Sequence, residues 1–157
     1  MIEMEEREIE QLLDESRIGR LSMADLSGRP YTVPLPFCAC DGTIYLRLPL
    51  SGRKGDVLRQ NDRVCFEVDT FTDSFDAYAS VLIEGRLIEV SDSGEKSRVK
   101  ELNDRKYNRL RRGHRPGHGR ATPLNDLPVR KIAVERISGR KKTPANPPVP
   151  AQPRSQA

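Results

Sequence analysis

One short run in this 157-residue chain gathers residue types able to grip an anion: Leu48-Pro49-Leu50-Ser51-Gly52-Arg53-Lys54. A strand-like stretch ends there, a small-residue turn follows, and a helix opens on two cations. Free amides at a helix N-terminus, with Arg and Lys beside them, suit an oxyanion. Without an anion those cations oppose the helix dipole. A solvated basic helix start is the competing reading. A second feature, Pro34 and Pro36 inside the extended run Tyr31–Phe37, bears on the same region. Amides two residues apart point to one side, so both prolines delete donors from one strand edge. That edge is an ordinary solvent-facing one, lines a split in a barrel, or meets a ligand.

Other reactive residue types form weaker constellations. Cys38 and Cys40 share a strand face and Cys65 is distant in sequence, but a thiolate metal site lacks its fourth ligand. The three read as free thiols, with no metal. Asp69 and Asp73 fall in or beside a loop and solvate it. The run Arg105 to Arg120 holds seven Lys/Arg, no acid, and the histidines His114 and His118. It could face nucleic acid or another anionic polymer, or close over an anionic ligand. Tyr107 alone offers base stacking, which disfavours nucleic acid. An exposed basic helix end that answers the acidic remainder of the protein is the favoured reading. Pro116 and Gly117 spoil helical spacing between the two histidines as metal ligands.

Charge is distributed unevenly. Residues 1 to 104 carry 13 Lys/Arg against 21 Asp/Glu, and residues 105 to 157 carry 14 against 2. The net charge of +4 therefore belongs to the last third. No apolar run approaches the ~20 residues that span a bilayer. The acidic, amphipathic start MIEMEEREIEQLL is unlike a signal or transit peptide, and the sparse, odd cysteine set suits a reduced, cytoplasmic protein.

The elements that must position the anion corner follow from periodicity. Residues 3–16 predict a helix, with Leu12 and Leu13 against the core. Strands are expected over 18–24 and 30–37, joined by Asp25-Leu26-Ser27-Gly28, and over 43–48 after the Asp41-Gly42 turn. A short helix over 53–61 leads to a strand from Arg63 with Val64, Phe66 and Val68 inward. A long strand over 78–90 changes phase at Gly85-Arg86, which predicts a β-bulge there. Residues 93–112 read as a helix capped by Ser91 or Ser93, with Leu102 and Leu110 as anchors. Residues 113–125 read as a loop and 128–137 as the last strand. From Ser138 the proline-rich tail is expected to be disordered, which leaves one domain over 1–137. The sum is a mainly β fold: a six-stranded antiparallel split barrel with flanking helices.

The order of the motifs carries more information than any one of them. Ile18-Gly-Arg-Leu21, Gly28-Arg-Pro-Tyr-Thr-Val-Pro-Leu-Pro-Phe37, Ile44-Tyr45, Gly52-Arg-Lys54, Leu58 to Val68, Ser80-Val81 and Gly85-Arg86 follow one another with compatible spacing over residues 9 to 137. The series resembles the pyridoxamine 5′-phosphate oxidase-like FMN-binding split-barrel family, nearest the nitroimidazole-resistance-type branch. The resemblance implies a homodimer with FMN at the subunit interface. It implies that Arg53 and Lys54 hold the FMN phosphate. Backbone around Val33, Pro34 and Leu35 and around Leu46, Arg47 and Leu48 would lie along the isoalloxazine and ribityl chain. Ser80 would approach the flavin from a neighbouring strand, often across the dimer. Two departures limit the chemistry. The chain has no Trp where pyridoxamine-phosphate oxidases use one to grip substrate, and Leu46 and Arg47 stand where the nitroimidazole-resistance branch often places a His.

These features point to a flavin-dependent oxidoreductase acting on a small molecule, with catalytic residues unassigned. The alternative is a non-catalytic module that binds, stores or senses a flavin or the deazaflavin F420. No membrane partner is expected.

Overall fold

Our computed structural model describes residues 1–110, 123 and 126–143. The elements in chain order are β1 (Ile2–Glu3), α1 (Glu6–Glu15), β2 (Ile18–Ala24), β3 (Pro30–Cys40), β4 (Thr43–Arg47), α2 (Gly52–Gln60), β5 (Arg63–Phe71), β6 (Tyr78–Glu89), α3 (Ser93–Leu110) and β7 (Val129–Lys142). Local chemistry sets most boundaries. Between β2 and β3, Asp25 Oδ1 accepts from the N–H groups of Ser27 and Arg29 at 2.9 and 3.0 Å, and Gly28 takes a left-handed φ of 80°. Asp41 and Gly42, both at positive φ, turn β3 into β4. A capping box between Glu5 and Glu8 starts α1.

All strand pairs are antiparallel, in the order β1-β7-β4-β3-β2-β5-β6, and β6 pairs back onto β7. Strands β2 to β7 thereby form a closed six-stranded barrel, and β1 extends the sheet beside the end of β7. Alternate residues fill the interior: Leu21, Met23, Ile44, Leu46, Val64, Phe66, Val68, Val81, Ile83 and Ile132. Each large side chain so buried stabilises the fold by roughly 1.5–3 kcal/mol. The Phe37 and Phe66 rings meet edge to face, 5.0 Å apart. Gly19 makes room for them, since a Cβ there would lie 2.0 Å from Phe66 Cζ. Ile9, Leu12 and Leu13 of α1 join the same core, as the sequence pattern anticipates.

A second cluster lies under α3, formed by Cys38, Tyr45, Val90, Val99, Leu127 and Val129. β4 is therefore buried on both faces. Val99 anchors α3 more deeply than Leu102 or Leu110, and the helix cap is Asp92, whose Oδ2 accepts from the Glu95 N–H at 2.7 Å. Neither Ser91 nor Ser93 fills that role.

Two further expectations need correction. Strand β6 keeps one phase through Val81, Ile83, Gly85 and Leu87, while Ile88 is exposed. A bulge does fall beside Gly85, as expected, but its extra residue is on β7: Glu84 pairs with Arg136 and Gly85 with Val134, which leaves Glu135 over. Gly85 is required because a Cβ there would lie 2.2 Å from the Ala133 carbonyl oxygen. The adjacent apolar pair Leu87-Ile88 mimics a phase change, whereas the charged sequence of β7 hides one. The second correction concerns the end of that strand. β7 runs to Lys142, so residues 138–142, assigned to the tail, belong to the barrel wall and pair with Tyr78–Leu82. Their basic composition resembles a tail because one strand face is in water and the ladder needs only backbone. The expected loop over 113–125, His114, His118 and the tail from residue 144 lie almost wholly outside the described residues.

Candidate functional site

The anion corner is assembled by α2 and the backbone that feeds it. Leu48 N–H donates to the Pro128 carbonyl at 2.8 Å, and the Leu48 carbonyl accepts from the Arg130 guanidinium. The Leu50 carbonyl accepts from Arg59 at 2.6 Å. Gly55 then lets α2 sit against this segment, since a Cβ there would lie 2.6 Å from Leu50 backbone. Gly52 begins α2 with a φ of 61°, in the left-handed region that favours glycine. Ser51 makes no side-chain cap bond and the first turn of α2 has no acid. The acid on this helix, Asp56, pairs with Arg59 at 3.1 Å. Among the described residues neither Arg53 nor Lys54 has a carboxylate partner. The Arg53 guanidinium lies over the Tyr31 ring, with Cζ 4.5 Å from the centroid.

Tyr31 belongs to the half of β3 that has a strand partner on one edge only. Residues 30–36 pair with β2, while β4 pairs only with residues 37–40. Pro30, Pro34 and Pro36 share one phase, and the β2 ladder runs unbroken past all three. Their missing donors therefore belong to the other edge, which has no strand partner over residues 30–36 among the described elements. The topology thus gives an unpaired edge over residues 30–36, as the prolines require, within a ring closed elsewhere.

The other expected site residues divide into three groups. Val33 and Leu35 are half-buried and face the core along the split edge, while Pro34 is exposed. Leu46 is buried and paired on both sides, with Phe37 and with Arg130; Leu48 is buried as well, and Arg47 is exposed. Ser80 sits on β6, opposite Asp69 and Arg140. In the closed ring β6 is three strands from β3 in either direction, so one subunit does not bring Ser80 to the split edge through its sheet.

The basic run beginning at Arg105 has a different use over its described part. Lys106 is 5% exposed; its Nζ donates to the Leu13 carbonyl at 2.8 Å and lies 3.8 Å from the Phe37 ring centroid. Burial pulls its pKa down to about 8, with Cys38 and Asp14 acting in the opposite direction. Arg109 pairs with Asp14 at 2.9 Å and donates to its carbonyl, and Arg17 reaches back to the Leu110 carbonyl. The Tyr107 hydroxyl lies between Arg17 and Phe37, 2.6 Å from the Arg17 carbonyl and 2.9 Å from the Phe37 amide. It continues the β2–β3 ladder past the end of β2. The sequence reading missed this clamp. The available signal was Lys106 seven residues after Val99, which places the lysine on the buried face of the helix.

The three cysteines are free. Burial pushes the Cys38 thiol up to about 11, and burial also raises Cys40 and Cys65, so none is activated as a nucleophile. A groove of about 790 Å³ lies between α1, the β3–β4 turn and β7, lined by Ile9, Leu13, Cys40, Val134 and Ile137 among others. Its lining does not include the Arg53 corner. No described helix is long and apolar enough to cross a membrane.

Comparison with known proteins agrees with this architecture. The profile of the pyridoxamine 5′-phosphate oxidase family matches residues 5–141. Among solved structures, a candidate 5-nitroimidazole antibiotic resistance protein from Bacteroides thetaiotaomicron superposes with a TM-score of 0.68 at 23% identity, covering 89% of this chain and 86% of that one. A FAD-binding protein from Mesorhizobium loti gives 0.66 at 26% identity, covering 90% and 98%. A structure named F420 reductase gives 0.57 at 15% identity, covering 82% and 94%. No curated protein sequence matches the chain.

Proposed function

Because this chain belongs to the pyridoxamine 5′-phosphate oxidase family, we propose that it binds a flavin, FMN in the first instance, and uses it as an oxidoreductase on a small molecule. One observation carries the reading: a pair of cations without carboxylate partners among the described residues, Arg53 and Lys54, stands at a helix start beside the proline-stripped edge of β3. A phosphate satisfies the cations and the first-turn amides together. An edge without amide donors at Pro34 and Pro36 suits a flat heteroaromatic ring better than another strand. In this reading Arg53 and Lys54 hold the phosphate, and Val33, Pro34, Leu35 and the backbone from Leu46 through Arg47 to Leu48 flank the rest of the ligand. A bound flavin supplies reversible electron transfer; the chain's part is to bind it, orient it and exclude water.

The reading includes a homodimer. Ser80 lies three strands from β3 around the ring, so it reaches a ligand at Arg53 from a second copy. Exposed Leu82, Ile88, Val134 and Ile137 offer apolar area for that contact. Three free thiols go with a cytoplasmic setting. A non-catalytic flavin or F420 module is favoured by one feature: Val33, Pro34 and Leu35 bring no proton donor or acceptor side chain to the edge.

The test is direct. Purified protein is expected to carry, or take up on titration, a flavin with its oxidised absorbance bands, and to sediment as a dimer. Parallel titrations with FMN, FAD and F420 rank the three. A protein that stays colourless and binds none of them rejects the proposal. Oxidation of the reduced, loaded protein by a substrate panel, faster than by buffer alone, separates the oxidoreductase from the storage module.

A further inference from the structure

We propose that Tyr31 is a positioning residue that holds the Arg53 guanidinium ready for the phosphate. This rests on the flavin reading and deepens it. Arg53 is on the exposed first turn of α2, where a free arginine samples many rotamers and loses that freedom on binding an anion. The Tyr31 ring lies against it, its centroid 4.5 Å from Cζ. Tyr31 is itself held. It packs against the barrel core, pairs with Met23 in the β2 ladder, and starts the run whose opposite edge is split. A contact with a ring face spends no hydrogen-bond donor and cancels no charge, and no hydrogen bond of Arg53 is found among the described residues, so its N–H donors remain available for two phosphate oxygens. A carboxylate in that place would hold Arg53 equally well but would consume those donors and cancel the charge. Asp56, the one acid on α2, is turned to Arg59 instead.

The role predicts a pattern that loss of packing would not produce. Phosphate recognition should depend on Tyr31 only while Arg53 is present, and it should not extend to riboflavin, which has no phosphate. Tyr31→Leu is expected to weaken FMN by about three- to tenfold and to leave riboflavin unchanged. In the Arg53→Ala background Tyr31→Leu should change FMN affinity little, because the grip it supports is gone. Tyr31→Phe keeps the ring and should match the unsubstituted protein. The proposal is overturned if Tyr31→Leu weakens riboflavin as much as FMN, if its effect adds in full to that of Arg53→Ala, or if Tyr31→Phe falls to the Leu level. Should the unsubstituted protein bind no flavin at all, the flavin reading fails and inorganic pyrophosphate decides the Tyr31 role by the same three variants. Coupled losses of pyrophosphate then retain it. Additive losses, or no pyrophosphate binding, remove it.

Discussion

Positive charge at the start of α2 and positive charge in α3 are put to opposite uses. At the α2 corner Arg53 and Lys54 face no carboxylate among the described residues, and Arg53 rests on an aromatic ring. In α3, Lys106 and Arg109 are bound to the carbonyls of Leu13 and Asp14 at the end of α1, with Asp14 neutralising Arg109. The first cluster keeps its donors for something else; the second uses them up within the fold. Judged by density of charge alone, the run from Arg105 looks the better anion site. Under the proposed reading, the comparison teaches that unspent hydrogen-bonding capacity, rather than charge count, marks where a ligand is to be sought. It also predicts that substitutions in the two clusters separate cleanly into ligand effects and stability effects.

The largest expected effect is on the ligand side. Arg53→Ala with Lys54→Ala removes two charge-assisted phosphate contacts and should weaken FMN about a hundredfold or more. The melting temperature should move by no more than about 2 °C, as for other surface substitutions. Fluorescence titration and a thermal melt on one preparation read both quantities. A large fall in melting temperature would place the corner in the structural class and erase the contrast.

Next comes the opposite pattern in α3. Tyr107→Phe leaves the Arg17 and Phe37 backbone groups without their hydroxyl partner and should cost about 1–3 kcal/mol of stability. FMN affinity should stay within about twofold, as expected of a change that removes no ligand contact. Denaturant unfolding together with the same titration tests this.

Lys106 sharpens the contrast through pH. Its folded pKa of about 8 lies below the unfolded 10.5, so between those values the unfolded chain binds more protons. Stability should therefore rise with pH across that window and be lowest, with respect to this group, below pH 8. Subtracting the unfolding curve of Lys106→Met isolates the group, and the difference should grow by about 1–3 kcal/mol from pH 8 to 10. A flat difference curve would mean that the ammonium is hydrated. It would then no longer belong to the clamp.

The smallest effect serves as the control. Arg20 pairs with Glu67 and Asp69 on the outer wall and is half exposed. Arg20→Leu should change stability by less than about 1 kcal/mol and leave FMN binding untouched. A cation deleted there should matter to neither property, because solvent already competes for it.

Legibility in the sequence followed the range of the interaction. β2 was predicted over its observed span, 18–24, since Asp25 and Gly28 end it through contacts within four residues. The inward faces of β5 and α1 and the start of β6 were equally plain from period and turn residues. At the candidate site the Gly52-Arg53-Lys54 corner and the proline edge were both visible, because each is a property of one short segment. What failed was whatever depended on a partner strand or helix. The bulge at Glu135 is set by the mismatch between β6 and β7, and the extension of β7 to Lys142 by a ladder that asks nothing of side chains. Asp92 rather than Ser91 or Ser93 caps α3, a choice among three adjacent cap-forming residues that the local sequence leaves open.

The sequence by itself determined a mainly β domain of alternating strands and a helix start that carries two cations. Its motif order also points to the family that the profile over residues 5–141 establishes. Those are facts of composition, period and order, which neighbouring residues fix through sterics and turn geometry. Only the tertiary structure decided which cations find partners among the described residues. Hydrogen bonds at 2.8 Å from Lys106 to Leu13 and 3.1 Å from Arg109 to Asp14 join residues more than ninety apart. No local pattern encodes such a pairing. Arg53, without a carboxylate among the described residues, and Lys106, bound to a carbonyl, differ in what the fold brought within reach.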